Sequence, residues 1–171
     1  MIKKYFAAFV LILSIGGLFC SPILPVLSIT NRKNHAQRFY SVDGCKNGFI
    51  ISYTHSVNKG RVKDFYTVTS NQKLLCNTTV FLSYGAGIPE PDDFPDAVFT
   101  VTKDGYEITN INRIVDKLTM AVGIIANHAI TITHKNVSKD YYFTDFFEPQ
   151  TSIILEIKRV SLLNYIFHHI K

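Results

Sequence analysis

The stretch FIISYTHSVNKGRVKDFYTV, Phe49 to Val68, decides the fold. In its first half Phe49, Ile51, Tyr53 and His55 alternate with Ile50, Ser52, Thr54 and Ser56. In its second half Val62, Asp64, Tyr66 and Val68 alternate with Lys63, Phe65 and Thr67. A period of two puts successive side chains on opposite faces of a strand. Between the halves, Asn58 and Gly60 tolerate the positive φ that a tight turn needs. The stretch predicts a β-hairpin pairing Ile51–Val57 with Arg61–Val68, and Thr54, His55 and Ser56 mark its polar end.

Outward from this hairpin the signals stay mostly β. Asn71-Gln72 turns the chain again and KLLCNTTVFLSY makes a third strand, so a meander is expected. GAGIPEPDDFPD, Gly85 to Asp96, then breaks all periodicity. Its prolines cannot donate to a ladder, and loops of that length are often functional. AVFTVTKDGYEITN reads as a hairpin about Asp104-Gly105. NRIVDKLTMAVG fits a short helix or a strand, and its latter half reads as strand. HAITITHK and TSIILEIKRV alternate well. Upstream, VLSITN and QRFYSV read as strands and DGCKNG as a turn. LLNYIFHHIK at the end has near-helical spacing among basic residues, suited to packing on the body or to resting on anionic lipid. About eight short strands with turns between them predict an all-β domain, a β-sandwich or an open barrel.

The 171 residues are 47% hydrophobic and 18% charged, a globular balance, with no Trp. Lys3 and Lys4 supply two of the five net positive charges, and no basic run is interleaved with aromatics, so nucleic-acid binding is not supported. MIKK followed by YFAAFVLILSIGGLFC, uncharged from Tyr5 to Cys20, has the layout of a secretory signal or a membrane anchor. A helix needs about 20 residues to cross the hydrocarbon, and Tyr5 to Leu24 suffices. Bulky Leu18 and Phe19 fit a cleavage site poorly. Residues 1–23 are therefore read as an apolar anchor helix and 24–171 as an extracytoplasmic β-domain, with secretion after cleavage as the alternative. The two lysines hold the N-terminus in the cytoplasm.

Outside the cytoplasm a Cys45–Cys76 disulfide can persist; two separate half-buried thiols are the other reading. Neither cysteine makes a zinc spacing. Across the predicted hairpin His55 and Asp64 fall on adjacent strands, close enough for a hydrogen bond that either orients a proton-transfer base or pins the register. Ser56 points to the opposite face and no nucleophile elbow is present. His128 could join His55 and Asp64, but no local ligand spacing points to a metal, and no cofactor motif appears. Gly85, Ala86, Gly87 and Pro89 offer main-chain donors for a carboxylate, or simply a turn.

YTHSV (Tyr53–Val57) with Asp64, YGAGIP (Tyr84–Pro89), VGIIANHAI (Val122–Ile130) and SIILEIKRVSLL occur in an order that resembles the domain of unknown function 1850 family, over roughly Leu24 to Leu163. The resemblance implies a small secreted or anchored bacterial β-domain, an accessory to tripartite ATP-independent periplasmic (TRAP) transporters of the TAXI type. It marks His55, Ser56, Val57, Gly85, Ala86, Gly87, Pro89 and His128. The family's usual Glu is here Asp64, one carbon shorter. The expected function is binding, of a transporter subunit, a solute-binding protein or a small carboxylate. A hydrolase using His55 and Asp64, and a cell-envelope interaction module without ligand, are the alternatives.

Overall fold

The structure is a computed structural model. It describes residues 19–35, 37–83 and 93–169, together with Tyr5, Val10, Gly16, Gly17 and Glu90. The expected anchor lies largely outside these, as do Gly85, Ala86, Gly87 and Pro89. Among the described residues no helix is long and apolar enough to cross a membrane.

Twelve strands form within the described residues. The first sheet contains β1 (Leu24–Asn31), β2 (Arg38–Ser41), β9 (Lys117–Ala121) and β12 (Ser152–Val160), in the order β2-β1-β12-β9. The second contains β3 (Phe49–Thr54), β4 (Arg61–Val68), β5 (Leu74–Phe81), β6 (Val98–Thr102), β7 (Gly105–Thr109), β10 (Ala129–His134) and β11 (Val137–Tyr142), in the order β11-β10-β3-β4-β5-β7-β6. The short β8 (Arg113–Val115) pairs with the first residues of β5, while β7 takes the last. All pairings between these strands are antiparallel, and the described sheets do not close into a barrel. The molecule is thus the sandwich of the two expected architectures.

Alternation explains the core. Leu27 and Ile29 of β1 with Ile153 and Leu155 of β12 face Phe49 and Ile51 of β3, Leu74 of β5, and Ile130 and Ile132 of β10. Full burial of each such side chain is favourable by roughly 1.5–3 kcal/mol. A satellite cluster of Val62, Phe81, Ile108 and Ile111 lies under the β4–β5–β7 part of the second sheet, where Phe94 and Ala97 pack on it.

Several local expectations are corrected. DGCKNG is no turn but most of a helix, α1 (Val42–Asn47), because the Ser41 hydroxyl accepts the Gly44 N–H at 2.9 Å. Gly44 then sits where a Cβ would come within 2.9 Å of the Leu27 side chain. Arg113–Val115 is strand, not helix. The strand count rises from about eight to twelve. One reason is β11, paired with β10 about Lys135 and Asn136, which hold φ of 46° and 65° and form a two-residue turn. The terminal helix, α2 (Leu162–His168), forms behind Ser161, whose hydroxyl accepts the Asn164 N–H.

Candidate functional site

The register of β3 on β4 fixes where the polar groups go. Thr54 pairs with Arg61, Ile51 with Asp64 and Phe49 with Tyr66. Pairing stops at Thr54, so residues 55–60 form the connection. The His55 N–H donates to the Gly60 carbonyl at 2.9 Å, and Lys59, at φ 58°, donates to the His55 carbonyl at 3.1 Å. His55 Nδ1 accepts the Val57 N–H at 3.3 Å. Asn58 Nδ2 donates to the Ser83 carbonyl at 2.9 Å, which ties this turn to the residue before Tyr84–Pro89. His55 therefore organises a turn. The expected His55–Asp64 hydrogen bond does not form: Asp64 lies opposite Ile51, further down the ladder, and bonds elsewhere. Ser56 is exposed, and its carbonyl accepts from Lys59 Nζ at 2.6 Å.

Asp64 faces inward. Tyr53, Asp64, Tyr66, Cys76, Thr79, Phe94, Ile111 and Arg113 line a cavity of about 150 Å³. A β-bulge builds it. Phe65 pairs with Thr78 but Tyr66 with Cys76, which leaves Asn77 outside the register. Cys76 and Thr79, three residues apart, consequently both stand on the inner face, where an unbroken period of two would separate them. The Asn77 carbonyl accepts the Ile111 N–H at 3.1 Å and so brings Ile111 over the cavity. Phe94 comes from the far end of the long Gly85–Asp96 segment.

The chemistry of the cavity is that of protonated groups around a carboxyl. Thr79 Oγ1 donates to Asp64 Oδ1 at 2.6 Å. Burial raises the Asp64 pKa, and the Thr79 hydrogen bond and the Arg113 charge offset part of that rise. Burial, then Asp64 and Cys76, pushes Tyr53 up to about 12. Burial and then Asp64 push the Cys76 thiol up to about 11, although Tyr66, the Arg113 charge and a hydrogen bond with the Thr78 backbone act the other way. Tyr66 is raised as well, first by burial. Arg113 is the cation of the lining and is exposed, so it marks the side open to water.

His128 stands behind Tyr53, with ring centroids 5.7 Å apart, and its Nδ1 accepts the Gly123 N–H at 3.4 Å. Burial and then Arg61 lower its pKa. Arg61 closes the outer side: Nη2 donates to Ser52 Oγ at 2.6 Å and Nη1 to the Asn127 carbonyl at 2.8 Å. Asp64 and His128 thus both lie near one tyrosine, Tyr53, with His55 and Ser56 in the adjoining turn. Among the described residues no three His, Cys, Asp or Glu side chains are placed to hold a metal ion. Cys45 and Cys76 are free thiols, not a disulfide; Cys45 lies on α1, while Cys76 is turned into the cavity.

Tyr53, Tyr66, Thr79, Phe94 and Arg113 are the site residues that sequence reasoning passed over. One signal was available: Asp64 shares its strand face with Val62, Tyr66 and Val68, and a charge on an apolar face is the informative exception. Nothing local pointed to Arg113.

No curated protein and no solved structure shows significant similarity to this chain. The family model for a domain of unknown function (DUF1850) matches residues 49–138, a narrower span than the Leu24–Leu163 expected from the motifs. That span starts at β3, ends within β11 and contains every residue lining the cavity. It covers more than half of the chain, which therefore belongs to the DUF1850 family.

Proposed function

We propose that this chain is a membrane-anchored extracytoplasmic β-domain that works by binding a small carboxylic acid, as an accessory of a TRAP-TAXI type organic-acid transport system. The cavity around Asp64 is the observation that carries the reading. Its volume of about 150 Å³ is of the order that takes a molecule the size of benzene. Arg113 offers a carboxylate the paired N–H donors of a guanidinium. Tyr53 and Tyr66 keep their phenolic protons at neutral pH and can donate to a second oxygen of the ligand. The exposed turn with His55, Ser56 and Val57, joined to Ser83, is the rim that a solute-binding protein or membrane subunit would meet.

Binding is favoured over hydrolysis by the same geometry. His55 and Asp64 have separate partners, and a thiol held near 11 is a poor nucleophile at neutral pH. The transport setting is what the family resemblance implies. The uncharged run from Tyr5 to Cys20 supports the anchor, and tethering would raise the effective concentration near a membrane partner.

The test is calorimetric titration of the detergent-solubilised full chain with a panel of small mono-, di- and hydroxycarboxylates. We expect saturable binding of at least one acid and a loss of about tenfold or more, 1.4 kcal/mol, in Arg113→Ala. Silence across the panel sinks the ligand assignment.

A further inference from the structure

The last helix turns its apolar side outward. Leu163, Ile166 and Phe167 follow the i, i+3, i+4 spacing that shares one helix face, and they are 47%, 51% and 75% exposed. The other side of α2 faces the protein. Tyr165 packs with Val26, Tyr40 and Val160 on the outer face of the first sheet, and the Tyr40 and His168 rings lie 5.7 Å apart. A surface helix of a water-soluble body has the reverse arrangement.

Two further observations say what covers that face. First, Leu24 pairs with Val160, and α2 starts at Leu162. The apolar run Tyr5–Cys20 and the apolar face of α2 therefore join the body at the same end of the first sheet. Ile23, between them, is 53% exposed. Second, the adjoining surface is basic. Tyr165 and His169 share a cleft of about 560 Å³ with His134, Lys135 and Lys139. Asp43, the acid of that cleft, is paired with His134 Nδ1 at 2.9 Å, and Lys139 Nζ lies 4.8 Å over the Tyr141 ring.

We infer that α2 lies on an anionic bilayer surface, with Leu163, Ile166 and Phe167 among the acyl chains and the Lys135–Lys139 cleft against lipid phosphates. An exposed apolar helix face rimmed by basic groups has the physical makeup of an interfacial segment. The inference uses the anchor proposed above only to say where the bilayer stands.

The chain contains no Trp, so one introduced indole reports alone. Phe167→Trp and, as control, Val101→Trp on the distant β6, where Val101 is 69% exposed, are made in the full chain. Each is reconstituted with mixed phosphatidylcholine–phosphatidylglycerol vesicles carrying brominated acyl chains. Flotation and emission are both read. The expected result is blue-shifted, bromine-quenched emission for Phe167→Trp and water-like emission for Val101→Trp, with quenching weakened by Lys135→Glu/Lys139→Glu or by omitting phosphatidylglycerol. Protein that floats while Phe167→Trp emits as in water overturns the helix contact and leaves the anchor standing. Failure to float overturns both. A blue shift without bromine quenching that grows with protein concentration assigns the face to a second copy of the chain and overturns the lipid contact.

Discussion

The two faces of the β3–β4 hairpin hold their polar groups under opposite rules. On the outer face Ser52, Thr54, Arg61 and Lys63 are either wet or paired. Lys63 is exposed, and Arg61 is satisfied by the Ser52 hydroxyl and the Asn127 carbonyl. On the inner face the very next residue, Asp64, is pressed between two tyrosines and a thiol, with one hydroxyl as hydrogen-bond partner. A solvated charge costs little, whereas a buried one must be neutralised or paired. The inner face therefore carries a desolvation cost that the outer face does not, and the proposed binding site is built on it.

Breaking the inner face should hurt most where it is packed. Phe81→Ala removes a fully buried ring under the cavity and should cost about 3–5 kcal/mol, measured by urea unfolding. Thr79→Val keeps the shape but strips Asp64 of its donor; a loss of about 1–3 kcal/mol is expected, and no loss would mean that Asp64 does not need the bond. On the outer face Lys63→Ala should stay within about 0.5 kcal/mol. A large effect there would erase the contrast between the faces.

The pH dependence sharpens the same contrast. Burial raises the Asp64 pKa in the fold above the unfolded value of about 3.9. The folded state then holds the proton more tightly, so this group's contribution is complete below that pH and is lost as pH rises through the raised value. Asp64→Asn, with no proton to lose, should flatten that segment of the stability–pH curve. An unchanged curve would show that Asp64 titrates as a solvated acid does. A subtler effect concerns the thiols: Cys76, held near 11 and buried, should alkylate more slowly than half-exposed Cys45 in the folded protein, and the difference should vanish in denaturant.

How much of this was legible in the sequence follows from range. The β class, the 49–68 hairpin and the Asp104-Gly105 hairpin rest on local alternation and turn chemistry, and local rules found them. Strand β11 was missed because Lys135 and Asn136 are not the Asn-Gly or Asp-Gly pair that announces a tight turn. Helix α1 was read as a turn because Gly44 and Gly48 look like breakers, while the Ser41 cap and the space against Leu27 decide otherwise. In the site, Asp64 and His128 were visible as chemistry. The His55–Asp64 pair was not real because pairing ends at Thr54, not Val57, a difference set by the turn's own hydrogen bonds. Arg113 and the displaced Asn77 belong to a bulge and a three-residue strand that only tertiary pairing creates.

The account rests on the inner-face cavity, rather than the histidine turn, being the place where a small acid binds. Ligand-dependent thermal stabilisation measures this directly, because a ligand that binds the folded state alone raises its melting temperature. With the acid that binds best, wild type and His55→Ala should show equal upward shifts, each against its own baseline, and Arg113→Ala should show none. Loss of the shift in His55→Ala with retention in Arg113→Ala would contradict the account.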